Sequence, residues 1–313
     1  MEVILDRLAS LVKKISLAQE VDEAAAIDSY RLFHGRGRCF PGLEFITIDY
    51  FHPVLLTTLF AEPPAGWLEE LIVQAKPIFN QKTTCLLVQR RYMPQAPSEI
   101  LWGELPAEVY AQRCGSRFHL HLARQQNTGF FLDMEPGRLW LEQQAANRRV
   151  LNLFAYTCAF SVVAIAAGAD KVVNVDMSRP ALNIGRANHQ LNGLAKSRSE
   201  FVAENILKSW SRVKKPGPYD LVIIDPPSYQ KGSFVAEKDY ARVIRRLPEL
   251  MPDGGLALAC LNAPELSEDF LKQQFAEQCP QAEFVERLQP LADFPDVDPQ
   301  QQLKLLVYRI PAT

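Results

Sequence analysis

The sequence predicts an α/β chain in which a Rossmann-like seven-stranded sheet follows a smaller N-terminal α+β domain, on three observations. From Arg149 onward, apolar strand runs alternate with helical stretches, the rhythm of a parallel sheet with right-handed crossovers. Those runs are continuously apolar, as in "YDLVIID" (219–225), which marks strands covered on both faces. Ahead of them lie short β-rich segments separated by turn residues and interrupted by one helix.

Taken in order, residues 1–29 form an N-terminal helical segment, because Ile4, Leu5, Leu8, Leu11, Val12 and Ile15 make one apolar stripe. Residues 30–123 read as a small α+β domain. Its strands are "YRLFHG", "FITIDYF", "VLLTTLF", "TTCLLVQRR", "VYAQRC" and "RFHLHLA", and its helix is "GWLEELIVQAKPIF". A connecting loop and helix occupy 124–147. From 148 to 313 the strands are "RVLNLF", "KVVNVDM", "SEFVAE", "YDLVIID", "GLALACLN", "AEFVERLQ" and "LKLLVYRI", with helices near 160–168, 179–191, 239–251 and 267–279. The loop "PLADFPDVDPQQQ" is long enough to let the last strand run antiparallel beside its neighbour. That ending distinguishes a methyltransferase-type sheet from a dehydrogenase-type one.

Bulk composition narrows the classes. A length of 313 residues suits about two domains. A net charge of −2 gives no global sign of a nucleic-acid binder, although a local basic face is all that binding needs. The six cysteines are scattered without a C-x-x-C pair, which argues against a zinc site or a disulfide framework, and no metal is expected. No run approaches the ~18 apolar residues of a membrane span, and the acidic start lacks a signal-peptide core. The expectation is a cytoplasmic protein with reduced thiols and no membrane partner, its oligomeric state unspecified.

The turn "NLFAYTCAFS" (152–161) stands where a dinucleotide-binding protein has G-x-G-x-x-G, but holds Phe154, Tyr156 and Cys158 instead of glycines. NAD is disfavoured. S-adenosyl-L-methionine, which carries no phosphate, removes the need for such glycines, and Tyr156 and Thr157 are candidates for its carboxylate and amine. Asp176 ends the second strand at about the 20-residue interval expected of a ribose-binding acid. Met177 can pack on adenine. Asn205 ends the third strand with an amide oxygen for the adenine amino group, and the backbone of Ile206 can face the ring. Asp225 closes the fourth strand, where Pro226 and Pro227 stop the sheet ladder.

With these residues in place, the chain resembles the class I S-adenosylmethionine-dependent methyltransferases. More narrowly, it resembles the bacterial family that methylates bases of large-subunit ribosomal RNA. The matching stretches are "YRLFHGRGRCFPGL" (30–43), "GELPAEVY" (103–110), "NTGFFLD" (127–133), "RRVLNLFAYTCAFSV" (148–162), "VNVDMSRPALNIGRANHQLNG" (173–193) and "DPPSY" (225–229). The resemblance implies S-adenosylmethionine as cofactor and an RNA base as substrate. Three departures stand out. Members commonly begin with a PUA-type RNA-binding domain, whereas here a short helical segment precedes the match. Their first loop usually has Gly where this chain has Cys158. Cytosine-5 members carry a cysteine after the fifth strand in a Ser-Cys-Ser context, whereas "LALACLNAP" offers Cys260 two positions earlier and Asn262 near the usual place.

Two chemistries follow. Methylating a ring or exocyclic nitrogen needs an aligned lone pair and an acceptor for the target's hydrogen, roles for Asp225 with Tyr229 stacked on the base. Methylating cytosine C5 needs a thiolate to add at C6, for which Cys260 is the candidate and a buried packing role the alternative. Nitrogen is slightly favoured, with Asn262 reading a base edge. Lys231 follows DPPSY closely enough to reach a substrate phosphate. Arg31, Arg36, Arg38, Arg90 and Arg91, with Tyr92, can form a basic aromatic face for RNA or stand as isolated surface residues. His119 and His121 alternate with apolar residues and read as a polar sheet face. A methyltransferase of proteins or small molecules, and a non-catalytic RNA-binding protein with this fold, are the competing readings.

Overall fold

The computed structural model describes residues 1–21, 27–79, 85–123, 127–230 and 234–312. Two units divide the chain: Met1–Leu132 with Ala292–Val297, and Asp133–Leu291 with Asp298–Thr313. Lys231 lies outside the described residues.

The first unit opens with α1 (Glu2–Val21), whose stripe of Ile4, Leu8, Leu11 and Ile15 is fully buried. A five-stranded sheet follows, ordered β1 (Tyr30–His34), β2 (Ile46–Phe51), β3 (Val54–Leu59), β4 (Cys85–Arg90) and β5 (Ser98–Gly103). Only β3 and β4 are parallel, joined by the crossover helix α2 (Trp67–Phe79); the other ladders are antiparallel. The edge strand β5 is not visible in the residue pattern. "SEILWG" is largely exposed and neither alternates nor runs apolar, so packing gives it no periodicity. A separate hairpin, β6 (Tyr110–Arg113) and β7 (Ser116–His119), completes the unit. Because β7 stops at His119, His121 lies beyond the strand, its N–H donating to the Thr128 carbonyl at 2.8 Å.

The second unit contains α3 (Glu135–Gln144), β8 (Arg149–Leu153), α4 (Ala159–Ala166), β9 (Lys171–Asp176), α5 (Arg179–Leu191), β10 (Ser199–Ala203), α6 (Trp210–Lys214) and β11 (Leu221–Ile224). After these come a two-residue ladder of β12 (Tyr229–Gln230) and β13 (Phe234–Val235), then α7 (Ala236–Ile244), α8 (Leu247–Leu250), β14 (Gly255–Leu261), α9 (Glu268–Gln278), β15 (Glu283–Leu288) and β16 (Lys304–Ile310). Its seven-stranded sheet has the order β10-β9-β8-β11-β14-β16-β15. The first five strands are parallel, and β16 is inserted antiparallel between β14 and β15.

Successive residues of the central strands enter opposite cores, as the period of two requires. Leu151, Val173, Val222 and Ala259 join α7 and α9 in one cluster, whereas Val150, Val172, Ile223 and Cys260 join α3 and α4 in the other. A buried polar chain crosses the second face. Asn152 donates to Asn174 at 2.9 Å, Asn174 to Ser161 Oγ at 2.9 Å, and Ser161 is 2.9 Å from His189 Nε2. His189 Nδ1 closes the chain on the Gly185 carbonyl at 2.8 Å. Because a carbonyl only accepts, Nδ1 carries the proton and Nε2 accepts from Ser161.

Candidate active site

The carboxyl ends of β8, β9, β10 and β11 and the loops leaving them gather the residues expected to hold a cofactor, where open α/β sheets bind ligands. After β8 the chain turns through three left-handed residues, Phe154, Tyr156 and Cys158, at φ of 59°, 46° and 63°. Each costs about 1–2 kcal/mol without glycine's freedom, and concentrated strain of this kind marks functional loops. Phe154 is anchored by an edge-on contact with Phe234 at 5.0 Å, and Thr157 is buried, its carbonyl accepting from Asn188.

Asp176, at the tip of β9, pins this loop. One carboxylate oxygen accepts the Tyr156 N–H at 2.8 Å and the other accepts the Ser178 N–H at 2.7 Å. Burial pushes its carboxyl pKa up, and these two N–H groups hold it back. A carboxylate oxygen carries two acceptor sites, so each retains one for a ribose hydroxyl. Met177 beside it is open to solvent at 47%. Asn205, after β10, uses its side-chain oxygen to accept the Leu207 N–H at 3.0 Å, capping the turn Ile206–Lys208, while Ile206 is buried. That oxygen keeps a second acceptor site, the one expected to meet the adenine amino group.

Asp225 follows β11 directly, with Pro226 buried and Pro227 half-buried after it. Desolvation lifts its carboxyl pKa to about 7, Asp133 adds to the rise, and the Arg138 guanidinium opposes it. Arg138 itself is buried and donates to Glu135 at 2.7 Å. Asp133 and Arg138 lie in "LDMEPGR", ahead of and inside α3, and the residue pattern did not single them out. No local spacing links them to Asp225; only the acid closing "NTGFFLD" hinted at them. Beneath Asp225 the Tyr240 hydroxyl sits between the carbonyls of Cys260, at 2.8 Å, and Ile224, at 3.2 Å, tying the ends of β14 and β11. Tyr229 is 68% exposed.

Cys260 is fully buried on the face it shares with Leu258, and burial together with Asp225 and Asp133 pushes its thiol well up. The strand continues to Leu261, so Cys260 stays inside the sheet while Asn262 emerges exposed. The loop carrying Asn262 is anchored by the buried Lys304, whose ammonium donates to the carbonyls of Ala263 at 2.8 Å and Leu266 at 2.7 Å. Desolvation lowers that ammonium to about 8. In the first unit, Arg38 pairs with Asp296 at 3.2 Å and Arg90 with Glu99 at 3.0 Å, whereas Arg36 and Arg91 converge on Phe60. Among the described residues no cluster of His, Cys, Asp or Glu is arranged to hold a metal ion.

A strand order with one antiparallel insertion and an acid at the second strand tip define the class I S-adenosylmethionine-dependent methyltransferases, with Cys158 standing where their first loop usually has glycine. Residues 30–309 match the S-adenosylmethionine-dependent methyltransferase family, and the chain belongs to it. It is 28% identical over 282 residues to the ribosomal RNA large subunit methyltransferase I of Shigella dysenteriae serotype 1, covering 86% of this chain and 70% of that one. A methyltransferase crystallised with S-adenosylhomocysteine superposes with a TM-score of 0.82 at 25% identity, over 98% of this chain and 82% of that chain. The complex of aTrm5 with tRNALeu shares the fold, with a TM-score of 0.60 at 15% identity, over 84% and 71% of the two chains. The protein is thus an enzyme that uses S-adenosylmethionine, which excludes the non-catalytic reading. The cofactor supplies an electrophilic methyl group on a sulfonium; the open Met177 and the spare acceptor sites of Asp176 fit its nucleoside.

Proposed function

We propose that the protein methylates a base of RNA, ribosomal RNA by preference, at a ring or exocyclic nitrogen. The named ribosomal RNA methyltransferase relative supports the substrate class. The observation that carries the choice of atom is the burial of Cys260, because a thiol sealed in an apolar core and held protonated makes a poor nucleophile. A nitrogen needs no covalent activation. S-adenosylmethionine would supply the methyl group and leave as the thioether, and Asp225 would take the proton the nitrogen gives up. Catalysis then rests on orientation, with Tyr229 stacking on the base and Pro226 and Pro227 stiffening the loop. Its six cysteines are free, in keeping with a cytoplasmic setting.

The test is mass mapping of ribosomal RNA from a strain lacking the gene, followed by incubation of that RNA with purified protein and S-adenosylmethionine. One missing methylated nucleotide restored in vitro, with the methyl on nitrogen, is the expected result. Complete methylation in the deletion strain would turn the reading towards proteins or small molecules, and a methyl on cytosine C5 would overturn the choice of atom.

A further inference from the structure

The arginines of the first unit differ in what surrounds each guanidinium. Arg38 and Arg90 each face a carboxylate. Arg31 takes both oxygens of the buried Asp49, lies 4.7 Å over Phe294, and reaches His34 Nδ1 at 2.6 Å. His34 is kept neutral there, since burial and the charges of Arg31 and Arg36 lower its pKa to about 4.

Arg36 and Arg91 share a different setting. Their guanidinium carbons lie 4.1 and 5.7 Å from the centroid of one ring, Phe60. Arg91 Nε donates to the Gln89 side-chain oxygen at 3.0 Å, which fixes its fork beside that ring. Both are partly desolvated and both feel like charge, Arg36 from Arg31 and Arg91 chiefly from Arg36, with the Asp49 carboxylate opposing it at Arg91. Two guanidiniums crowded on one ring are relieved by an anion between them, and their planar forks match phosphate oxygens. Arg36 also lines an open cleft of about 820 Å³, walled by Phe45, Phe60, Pro63 and Pro64. Glu44 and Glu62 stand in the same cleft. Glu44 accepts the Gly42 N–H at 3.1 Å, and neither acid figures among the charges acting on Arg36.

We propose that Arg36 and Arg91 bind a phosphodiester of single-stranded RNA, with the adjoining nucleoside seated in the cleft beside Phe45, Pro63 and Pro64. The inference rests on the RNA reading above and gives it a location in the first unit. Flat apolar walls accept a base, the outer face of a guanidinium already seated on an aromatic ring can stack, and Glu44 or Glu62 can accept from a ribose 2′-hydroxyl.

The experiment measures binding of a fluorescein-labelled 12-nucleotide single-stranded RNA of mixed sequence across a salt series. It compares wild type, Arg36→Gln/Arg91→Gln, and Lys76→Ala as a surface control. S-adenosylhomocysteine titrations on each protein report folding of the cofactor unit, and circular dichroism reports the fold of the first. The double variant should bind RNA at least tenfold more weakly, with its log–log salt slope reduced by about 0.7 for each phosphate that is no longer neutralised. Cofactor affinity should not change. Equal affinity and slope in wild type and double variant would remove the subsite and leave the RNA reading intact. A wild type that binds no RNA would overturn both. Displacement of the RNA by sub-millimolar adenosine monophosphate would assign the cluster to a free nucleotide instead.

Discussion

The Cys158 side chain occupies the space that a β-carbon on Gly185 would take: such a carbon would lie 2.4 Å from Sγ and 2.9 Å from the Cys158 Cβ. The cofactor loop therefore keeps a left-handed cysteine in place of glycine only because α5 presents a bare backbone opposite it. Gly185→Ala should destabilise the protein by about 1–3 kcal/mol through overpacking. Cys158→Gly should be far milder, since it relieves the left-handed strain while giving up the packing against Leu182. In the double variant the contact that follows the lost thiol is the Thr157 carbonyl at 3.4 Å, an ordinary one. Thermal melts of the four proteins should show most of the Gly185→Ala loss recovered; additive losses would mean the two positions do not compete for this space.

Asp176 joins two loops as well as being the acid expected to accept from the ribose. In Asp176→Asn one oxygen becomes an NH₂ directed at a backbone N–H, at Tyr156 or at Ser178. S-adenosylhomocysteine should bind about 10- to 100-fold more weakly, corresponding to about 1–3 kcal/mol for unpaired partners, and the cofactor-free melting temperature should fall too. Calorimetry with a melt of the free protein checks both; weakened binding at an unchanged melting temperature would count against the clamp.

The carboxyl of Asp225 titrates near 7 in the folded protein and near ~3.9 when unfolded. Between those values the folded state binds more protons, so stability from this group is complete at low pH and is lost as pH rises through about 7. Asp225→Asn should be more stable than wild type at pH 8.5, with the gap closing towards pH 4, while turnover is lost. Wild-type kcat/KM should rise with pH to a plateau above about 7, and Asp133→Asn should move the midpoint down by removing a neighbouring negative charge. Urea melts at two pH values and a pH–rate profile give the answer; a midpoint moving up in Asp133→Asn would contradict the assignment.

Cys260→Ala should keep activity within about tenfold, the change being a small cavity in a packed core. Wild type should form no stable adduct with RNA containing 5-fluorocytosine. A covalent band that vanishes in the variant would restore the cysteine mechanism.

Much of this architecture was legible in the residue pattern. The buried strands announced themselves as apolar runs ending in Asp176 and Asp225, because two-sided burial and strand termination both leave marks on local composition. Strand β5 left none, since an exposed edge imposes no pattern. Asp133, Arg138 and Tyr240 were invisible for another reason. Their effect on the Asp225 corner comes from tertiary proximity across about a hundred residues or less, through charge and a shared hydroxyl rather than spacing. The sequence marks these arginines only as a group; packing is what brings Arg36 and Arg91 to the Phe60 ring and pairs Arg38 with Asp296 and Arg90 with Glu99.

The paired asparagines of β8 and β9 bear on how the chain avoids mispairing. Strands such as "RVLNL" and "KVVNVD" are apolar on both sides, so sliding one past its neighbour by a residue would still bury hydrocarbon against hydrocarbon. Asn152 stands directly opposite Asn174. A slip would set each amide against valine or leucine and strand four hydrogen-bonding groups down to His189 in a dry interior. These few polar atoms act as a checksum on the central sheet: they add little to its cohesion, but they make the wrong alignments expensive, and so place the strand tips expected to hold the cofactor at one level.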